Sequence, residues 1–198
     1  MTVATLYDIH GNLRALEAVL AEIPDDAKIV VGGDVCFAGP QPAETLERLR
    51  ALGDRVVWVR GNTDREFEGS ELDDGQRAFL HGLPPSAQIG RVLYVHATPR
   101  NDMDVFTEAT PEDEIAFLFE DVDADVVVCG HTHMQFDRTI AGKRVVNSGS
   151  VGKPHGDEPG AFWLLDLERR RTEYDGMQAP EMNRADWLAY CARYAITR

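Results

Sequence analysis

The first 130 residues alternate between short apolar runs and longer stretches in which apolar residues recur at helical spacing. The apolar runs predict strands at 2–7, 27–34, 55–62, 91–97 and 124–130. The intervening stretches predict helices at 12–23, 42–52, 65–82 and 110–122, the last opening with a Thr-x-x-Glu-like cap signal. Such alternation is typical of parallel strands joined by crossover helices.

From residue 134 the pattern changes to short strand-like runs at 134–140, 143–149, 161–167 and 171–175. Glycine or charged turns separate these runs, which predict a second, antiparallel layer. The whole chain therefore predicts an α/β fold with α+β character, in which a two-sheet β-sandwich core is flanked by helices in four layers. With 198 residues, it is expected to form one domain over 1–198.

A final helix is predicted at 184–197, and its apolar residues lie on one side. They are Trp187, Leu188, Cys191, Tyr194 and Ala195. We expect this stripe to pack on the body of the protein. The alternative is a contact between copies of the chain in a homo-oligomer.

Composition excludes several classes of partner. The formal net charge of −14 argues against nonspecific binding to nucleic acid or to anionic lipid, both of which require a basic surface. No stretch approaches the roughly 18 uninterrupted apolar residues of a membrane helix, and no signal-like segment follows Met1, so we expect a cytoplasmic protein. Cys36, Cys129 and Cys191 are widely spaced and odd in number, which predicts buried thiols rather than disulfides.

Polar side chains with metal-binding chemistry follow each strand of the first half. They are Asp8 and His10, then Asp34, then Asn62 and Asp64, then His96, and finally His131 and His133. Successive strands could deliver these groups to a common rim, because ligands of open α/β sheets collect at the carboxyl ends of the strands. Carboxylate, imidazole and amide oxygen together suit divalent transition ions. Two ions about 3.5 to 4 Å apart accommodate so many ligands better than one.

Five blocks in this order resemble the calcineurin-like metallophosphoesterases, in particular their small bacterial and archaeal phosphodiesterase branch. The blocks are DIHGN at 8–12, GDV at 33–35, GNTD at 61–64, VHATP at 95–99 and GHTH at 130–133. The resemblance implies a metallophosphoesterase-like fold and two divalent ions of Mn, Fe, Co, Ni or Zn, with Mn expected. It implies that Asp8, His10, Asp34 and His133 hold one ion. By the same resemblance, Asp34, Asn62, His96 and His131 hold the other, with Asp34 as the bridge.

The implied reaction is hydrolysis of a small phosphate-ester substrate. A water shared by two dications would have its pKa lowered to roughly 7, and the resulting metal-bridging hydroxide would attack phosphorus. The sequence departs from the family at Thr63, where many relatives have a histidine oriented by the following carboxylate, here Asp64. Threonine cannot supply a proton near neutral pH, so diesters or activated esters are expected in preference to unactivated monoesters.

Two further residues have open roles. Arg100 is placed to reach a phosphate oxygen, with a surface salt bridge as an equal alternative. His155, in a loop rich in glycine and proline, either borders the substrate or is an ordinary loop histidine. The catalytic candidates are thus Asn62, Thr63, Asp64, His96 and Arg100.

Two other functions are compatible with the same fold. One is a serine/threonine phosphatase-like or dinucleoside-polyphosphate hydrolase, although such relatives usually retain the histidine that Thr63 replaces. The other is a non-catalytic scaffold. The scaffold is disfavoured, because every matching ligand position here carries a competent side chain.

Overall fold

Two five-stranded sheets form the centre of the protein in a computed structural model, which describes residues 1–177 and 179–196. The first sheet contains β1 (Val3–Leu6), β2 (Lys28–Val31), β3 (Val56–Trp58), β9 (Ala161–Leu165) and β10 (Glu168–Thr172). The second contains β4 (Ser86–Ile89), β5 (Val92–Val95), β6 (Val126–Cys129), β7 (Phe136–Ile140) and β8 (Lys143–Asn147). The strand orders are β10-β9-β1-β2-β3 and β4-β5-β6-β8-β7.

Each sheet combines three parallel strands with two strands that pair in antiparallel fashion. The strands β1, β2 and β3 are parallel neighbours, and so are β5, β6 and β8. The edge strands β10, β4 and β7 each pair in antiparallel fashion with the strand beside them. Because the parallel strands end on the same edge of their sheet, the residues that follow them are brought together.

An apolar layer joins the two sheets. Tyr7, Val30 and Leu164 from the first sheet pack with Val128 and Val146 from the second. The Tyr7 hydroxyl donates a hydrogen bond to the carbonyl of Val128 at 3.1 Å, so the phenol is satisfied inside this layer.

Helices cover the outer faces. They are α1 (Leu13–Leu20), α2 (Pro42–Arg50), α3 (Asn62–Arg65), α4 (Asp74–His81), α5 (Glu112–Ile115) and α6 (Arg184–Ala192). Leu16 of α1 and Leu46 of α2 join the core of the first sheet, whereas Ile115 of α5 joins the outer core of the second. The result is the predicted four-layer α/β architecture with a two-sheet core, and the fold class is confirmed.

The prediction of a separate antiparallel layer in the second half is wrong. The strands β7 and β8 extend the second sheet, where β8 lies parallel to β6. The strands β9 and β10 return to the first sheet beside β1. The last of them ends at Thr172 instead of continuing over 171–175. Strand patterns identify the strands, but their partners depend on contacts far apart in the sequence.

Three local predictions also need correction. The segment 65–82 is helical only at its two ends, in α3 and α4, and α4 begins at a capping box formed by Asp73 and Gln76. The helix predicted at 110–122 is limited to α5 and a 3-10 turn at Ala116–Leu118, and its N-cap is Pro111 rather than Thr110. The edge strand β4 was not predicted, because it is short, polar and largely exposed.

The final helix is shorter than the predicted 184–197, and residue 197 lies outside the described residues. Its stripe packs on the body as expected at Trp187 and Cys191, whereas Tyr194 is exposed. The three cysteines are free and buried, as predicted. Within the described ranges, no helix has both the length and the apolar character of a membrane span.

Candidate metal centre

Seven polar side chains meet where the carboxyl ends of the two parallel strand sets converge. These side chains, called the rim cluster below, are those of Asp8, His10, Asp34, Asn62, His96, His131 and His133. The first sheet supplies the two carboxylates, His10 and Asn62, and the second sheet supplies the other three imidazoles. All seven side chains predicted as metal ligands are therefore brought into one place.

The Asp8 carboxylate is the centre of the rim cluster. Its Oδ1 atom lies 3.3 Å from Nε2 of His133, 3.9 Å from Nε2 of His10 and 4.0 Å from Nε2 of His96. Two groups with ligand spacing share this carboxylate: one is Asp8, His10 and His133, and the other is Asp8, Asp34 and His96. In each group the ligand atoms lie within 4.8 Å of one another.

Asp34 also reaches both groups. Its Oδ1 lies 3.5 Å from Nε2 of His96, and its Oδ2 lies 3.9 Å from Nε2 of His10. Asp8 and Asp34 are therefore both within reach of the two groups. Asn62 extends the second group, because its Oδ1 is 3.0 Å from Nε2 of His96. The ring of His131 packs edge-on against His96, with the centroids 5.2 Å apart.

Backbone carbonyls fix the orientation of three imidazoles. Nδ1 of His10 lies 2.7 Å from the Phe37 oxygen, Nδ1 of His96 lies 2.8 Å from the Gly32 oxygen, and Nδ1 of His133 lies 2.6 Å from the Lys153 oxygen. A carbonyl can only accept, so each Nδ1 carries a proton and each Nε2 is the atom that faces the centre. This is the arrangement in which histidine ligates metal ions.

One buried carboxylate oxygen of the rim cluster lacks a hydrogen-bond donor in the described part of the chain. Oδ1 of Asp8 has no hydrogen-bond partner among the described residues, although the residue is fully buried. Burial opposes ionisation, yet the neighbouring imidazoles, with His133 foremost, hold the pKa of Asp8 well below its usual range. A buried carboxylate oxygen without a donor is costly unless a cation lies beside it. The donor set and this orphaned oxygen therefore fit divalent metal ions.

Burial also keeps part of the histidine set neutral. It lowers the pKa of His131 to about 4, with His96 as the next cause. Burial, followed by His133, likewise lowers the pKa of His10. Neutral imidazole is the form that binds a metal, so both side chains are ready to ligate at neutral pH.

Much of the rim cluster has an unusual backbone conformation. Five of its residues have positive φ angles: Asp8 at 53°, His10 at 50°, Asp34 at 54°, His131 at 64° and His133 at 58°. Each such residue costs roughly 1 to 3 kcal/mol and persists only where its surroundings fix it. Here the fixing contacts include hydrogen bonds from the Asp8 and His10 amides to the carbonyls of Gly33 and Asp34.

Gly130 allows the ends of β6 and β1 to approach each other closely. A Cβ atom at this position would lie 2.4 Å from the Tyr7 ring and 2.6 Å from Oδ2 of Asp8. The next residue, His131, donates its amide to the same Asp8 oxygen at 2.9 Å. The small residue therefore lets the Asp8 carboxylate lie against the backbone of the histidine loop.

Asp64 and Thr63 lie next to the rim cluster. The carboxylate of Asp64 is buried and accepts hydrogen bonds from the amides of Asp34, Val35 and Gly61 at 2.8 to 2.9 Å. Burial, with Asp34 as the next cause, raises the pKa of Asp64 to about 6. The Thr63 amide donates to Oδ1 of Asp34, and its buried hydroxyl has no partner among the residues described.

The two residues with open roles are found in different settings. Arg100 forms a two-pronged ion pair with Asp104, at 3.0 Å and 2.6 Å, which corresponds to the salt-bridge alternative. His155 is buried and stacks on His133, with a centroid distance of 5.2 Å. Its other face stacks on Trp187 at 3.8 Å. Sequence reasoning did not connect Trp187 with the site, because nothing local links a helix 50 residues downstream to the histidine loop.

Two grooves open beside the rim cluster. One, of about 590 Å³, borders His10 and is lined by Arg14 and by Lys153, which pairs with Glu181 at 3.4 Å. The other, of about 600 Å³, borders Asn62 and Thr63 and is lined by Phe37 and three glutamates, and we call it the acidic groove. The loop at 38–39 lines both grooves and so separates them.

Residues 1–170 match the family model for the calcineurin-like phosphoesterase superfamily domain. The chain belongs to this superfamily, which confirms the family predicted from the sequence and makes the protein a metal-dependent phosphoric ester hydrolase. The family implies divalent metal ions, for which the rim cluster provides the candidate ligands.

Known relatives agree with this assignment. The chain is 32% identical over 169 residues to the phosphodiesterase YfcE of Escherichia coli K12, covering 80% of this chain and 84% of that protein. A solved structure of the same E. coli phosphoesterase superposes with a TM-score of 0.56 at 27% identity, over 83% of this chain and 87% of that one. The metallophosphoesterase of Sphaerobacter thermophilus superposes with a TM-score of 0.75 at 25% identity, over 88% and 89% of the two chains.

Proposed function

We propose that the protein is a phosphodiesterase that uses two divalent metal ions held by the rim cluster. Asp8, His10, Asp34 and His133 form one ligand set. Asp34, Asn62, His96 and His131 form the other. The observation that carries this proposal is the orphaned Oδ1 of Asp8, which faces three Nε2 atoms within 4.0 Å.

When bound, two such ions supply a water of lowered pKa and positive charge for the phosphate oxygens, which is the largest source of rate acceleration in hydrolysis of this kind. The protein's own contribution is to hold the ligands rigidly. Asp64 acts here as a positioning residue. It accepts hydrogen bonds from the backbone amides of Asp34 and Val35, and its side chain is buried away from solvent.

Thr63 favours a diester over an unactivated monoester. Thr63 lines the acidic groove, and its buried hydroxyl has no hydrogen-bond partner among the described residues. It cannot release a proton at neutral pH, so an ester whose alcohol leaves without protonation is hydrolysed best. The name of the E. coli relative, a phosphodiesterase, supports the same preference.

The two grooves support the same class of substrate. A phosphodiester carries two organic arms on one phosphorus, and the centre has an opening on each side. One arm would lie beside Arg14 and Lys153, and the other beside Phe37 and Thr63. A small phosphate ester of this kind remains compatible with the acidic protein surface, because the positive charge is supplied locally by the metal ions.

We propose Mn²⁺ as the native ion, with Fe, Co, Ni and Zn as the alternatives that the same donors accept. Mixed carboxylate, imidazole and amide ligands exclude a site built for Mg²⁺ or Ca²⁺ alone, since those ions rarely use several histidines. The dinucleoside-polyphosphate and protein-phosphatase alternatives are not favoured, because both usually use the histidine that Thr63 replaces.

The first experiment measures metal content and hydrolysis on one preparation. Protein purified without added metal is analysed for its elements, then supplied with Mn²⁺ and assayed on bis(p-nitrophenyl) phosphate and p-nitrophenyl phosphate. We expect about two ions per chain and a higher kcat/KM for the diester. Asp8→Ala should lose both ions, whereas Asp104→Asn, which alters an ion pair outside the rim cluster, should lose neither.

Several results would contradict the proposal. Fewer than one bound ion in the folded wild-type protein would exclude the dinuclear site. A folded, metal-loaded protein that hydrolyses neither aryl ester nor cyclic nucleotide would instead favour the scaffold function. Preferential hydrolysis of a phosphopeptide or a dinucleoside polyphosphate would assign the protein to one of the other hydrolase classes.

A further inference from the structure

A column of stacked rings connects the rim cluster to the last helix. His133 stacks on His155 with an interplanar angle of 19°, His155 stacks on Trp187 at 18°, and Trp187 stacks on Tyr190 at 12°. The tightest step is His155 to Trp187, whose centroids are 3.8 Å apart. The helix α6, which carries Trp187, lies beyond residue 170, where the family match ends.

Trp187 makes a second contact with the same site. Its indole Nε1 donates a hydrogen bond to the carbonyl of Thr132 at 2.6 Å. Thr132 lies between His131 and His133, which both have positive φ angles. The indole therefore holds the histidine loop both through its backbone and, by way of His155, through a side chain.

The histidine loop is also held from the opposite side. Nδ2 of Asn147 donates to the carbonyl of Gly130 at 2.7 Å and lies 3.1 Å from the Thr132 hydroxyl. Two left-handed residues in one loop store strain, and such strain persists only when the surroundings fix the conformation. Asn147 fixes the buried side of the loop, and Trp187 fixes the side that faces the last helix.

The backbone amide of His155 donates a hydrogen bond to the carbonyl of His133 at 3.2 Å, whereas its side chain is held by ring stacking. His155 is 8% exposed, and its Nδ1 is buried without a partner in the part of the chain described. A buried ring nitrogen without a partner is unfavourable. The side chain is therefore kept in place by its two stacking faces, so a phenyl ring would fill the same position.

We propose that Trp187 and His155 are positioning residues that hold His131 and His133 in ligating geometry, so that helix α6 sets the affinity of the centre for its metal ions. This inference rests on the proposed metal site. It makes a segment outside the family match part of the functional centre.

The test is a titration of metal-free protein with Co²⁺, whose visible absorption bands report on the ligands and whose binding is measured by calorimetry. We expect wild-type protein to bind two ions. Trp187→Ala should weaken at least one of them about 10-fold and change its absorption bands, since loss of a group that orients a ligand typically costs 10- to 100-fold in affinity. Trp187→Phe keeps a ring but loses the indole donor, so its affinity should be intermediate.

A pair of variants at His155 separates stacking from hydrogen bonding. His155→Phe should bind Co²⁺ like the wild type, whereas His155→Ala should be weakened. Tyr194→Ala is the matched control, because Tyr194 lies just after the end of α6, is 58% exposed and contacts only Tyr190 among the rings described. Thermal unfolding in EDTA checks that each variant is folded.

The outcomes are distinct. Equal Co²⁺ affinities and spectra for folded Trp187→Ala and Tyr194→Ala would overturn the inference. If Trp187→Ala does not fold, identical binding by His155→Ala and His155→Phe would overturn it. A wild-type protein that binds no Co²⁺ would overturn both this inference and the proposed function. Normal Co²⁺ binding with the expected Trp187 effect, but no ester hydrolysis, would overturn the proposed function alone.

Discussion

Aspartate and histidine serve two purposes in the rim cluster. They provide ligand atoms, and they are also among the residue types that most readily adopt positive φ angles. Asp8, His10, Asp34, His131 and His133 combine both properties. The chain can therefore turn sharply after each strand and present a side chain to the centre with a smaller conformational cost than a β-branched residue would incur.

The first prediction at this scale concerns Thr63. Replacing it with histidine should introduce an imidazole beside the acidic groove, where it can donate a proton to a poor leaving group. We expect Thr63→His to raise kcat/KM for alkyl monoesters relative to activated aryl diesters, by up to about 100-fold.

Thr63→Ser is the control, because it keeps the hydroxyl and should leave this ratio unchanged. Steady-state kinetics with both substrate classes and the same Mn²⁺-loaded preparations provide the measurement. If Thr63→His and Thr63→Ser give the same ratio, the residue at this position does not determine the choice of substrate.

The residues at the strand ends are positioned by very close contacts with the backbone of another strand. The end of β6 lies against the end of β1, where Gly130 packs between the Tyr7 ring and the Asp8 carboxylate. The small size of Gly130 determines how closely the ends of β6 and β1 approach each other. It therefore also determines the distance between the ligands that follow these strands. A side chain at Gly130 would move the histidine loop away from Asp8.

Gly130→Ala should therefore destabilise the fold by about 1 to 3 kcal/mol, the usual cost of overpacking a tight site. It should also reduce the free energy of Mn²⁺ binding by more than it reduces the free energy of unfolding. Gly90→Ala is the control: Gly90 has a φ of +60° but open space around its Cβ position, so only a cost of about 1 to 2 kcal/mol is expected.

Urea unfolding without metal and Mn²⁺ titration separate the two effects. Full metal affinity in Gly130→Ala would show that close approach at this strand end is not required for the centre.

The two sheets of the protein both contribute ligands to the rim cluster. Ligands from the first sheet and ligands from the second sheet face the same space, so a bound ion would connect both halves of the sandwich. The apolar layer that contains Tyr7 and Val128 already holds the sheets together. Metal binding should therefore stabilise the entire fold and not one local segment.

We expect removal of the ions to lower the unfolding temperature in a single transition. A ligand at 100 times its Kd contributes about 2.7 kcal/mol, and for a chain of this size each 1 kcal/mol corresponds to about 2 to 4 °C. Calorimetry in Mn²⁺ and in EDTA should thus differ by about 5 to 10 °C for each ion. Identical melting curves would be incompatible with ions that connect both sheets.

The sequence by itself determined five strands of the first half, all except β4, together with the polar residues that follow them and the seven side chains of the rim cluster. It could do so because these signals are local: an apolar run marks each strand, and a ligand residue follows within a few positions. The family resemblance rested on the same short blocks. The fold class was predicted from the change of pattern near residue 134, although the strands after this point complete both sheets and form no separate layer.

Only the tertiary structure decided which strands are neighbours and which distant residues support the site. The parallel pairing of β6 with β8, the return of β9 to β1, and the contact of Trp187 with Thr132 join residues that no local pattern connects. Strand partners and stacking contacts are selected by the packing of the whole chain, in which many weak interactions compete. For that physical reason the ligands could be read in the sequence, whereas the residues that hold them in place could not.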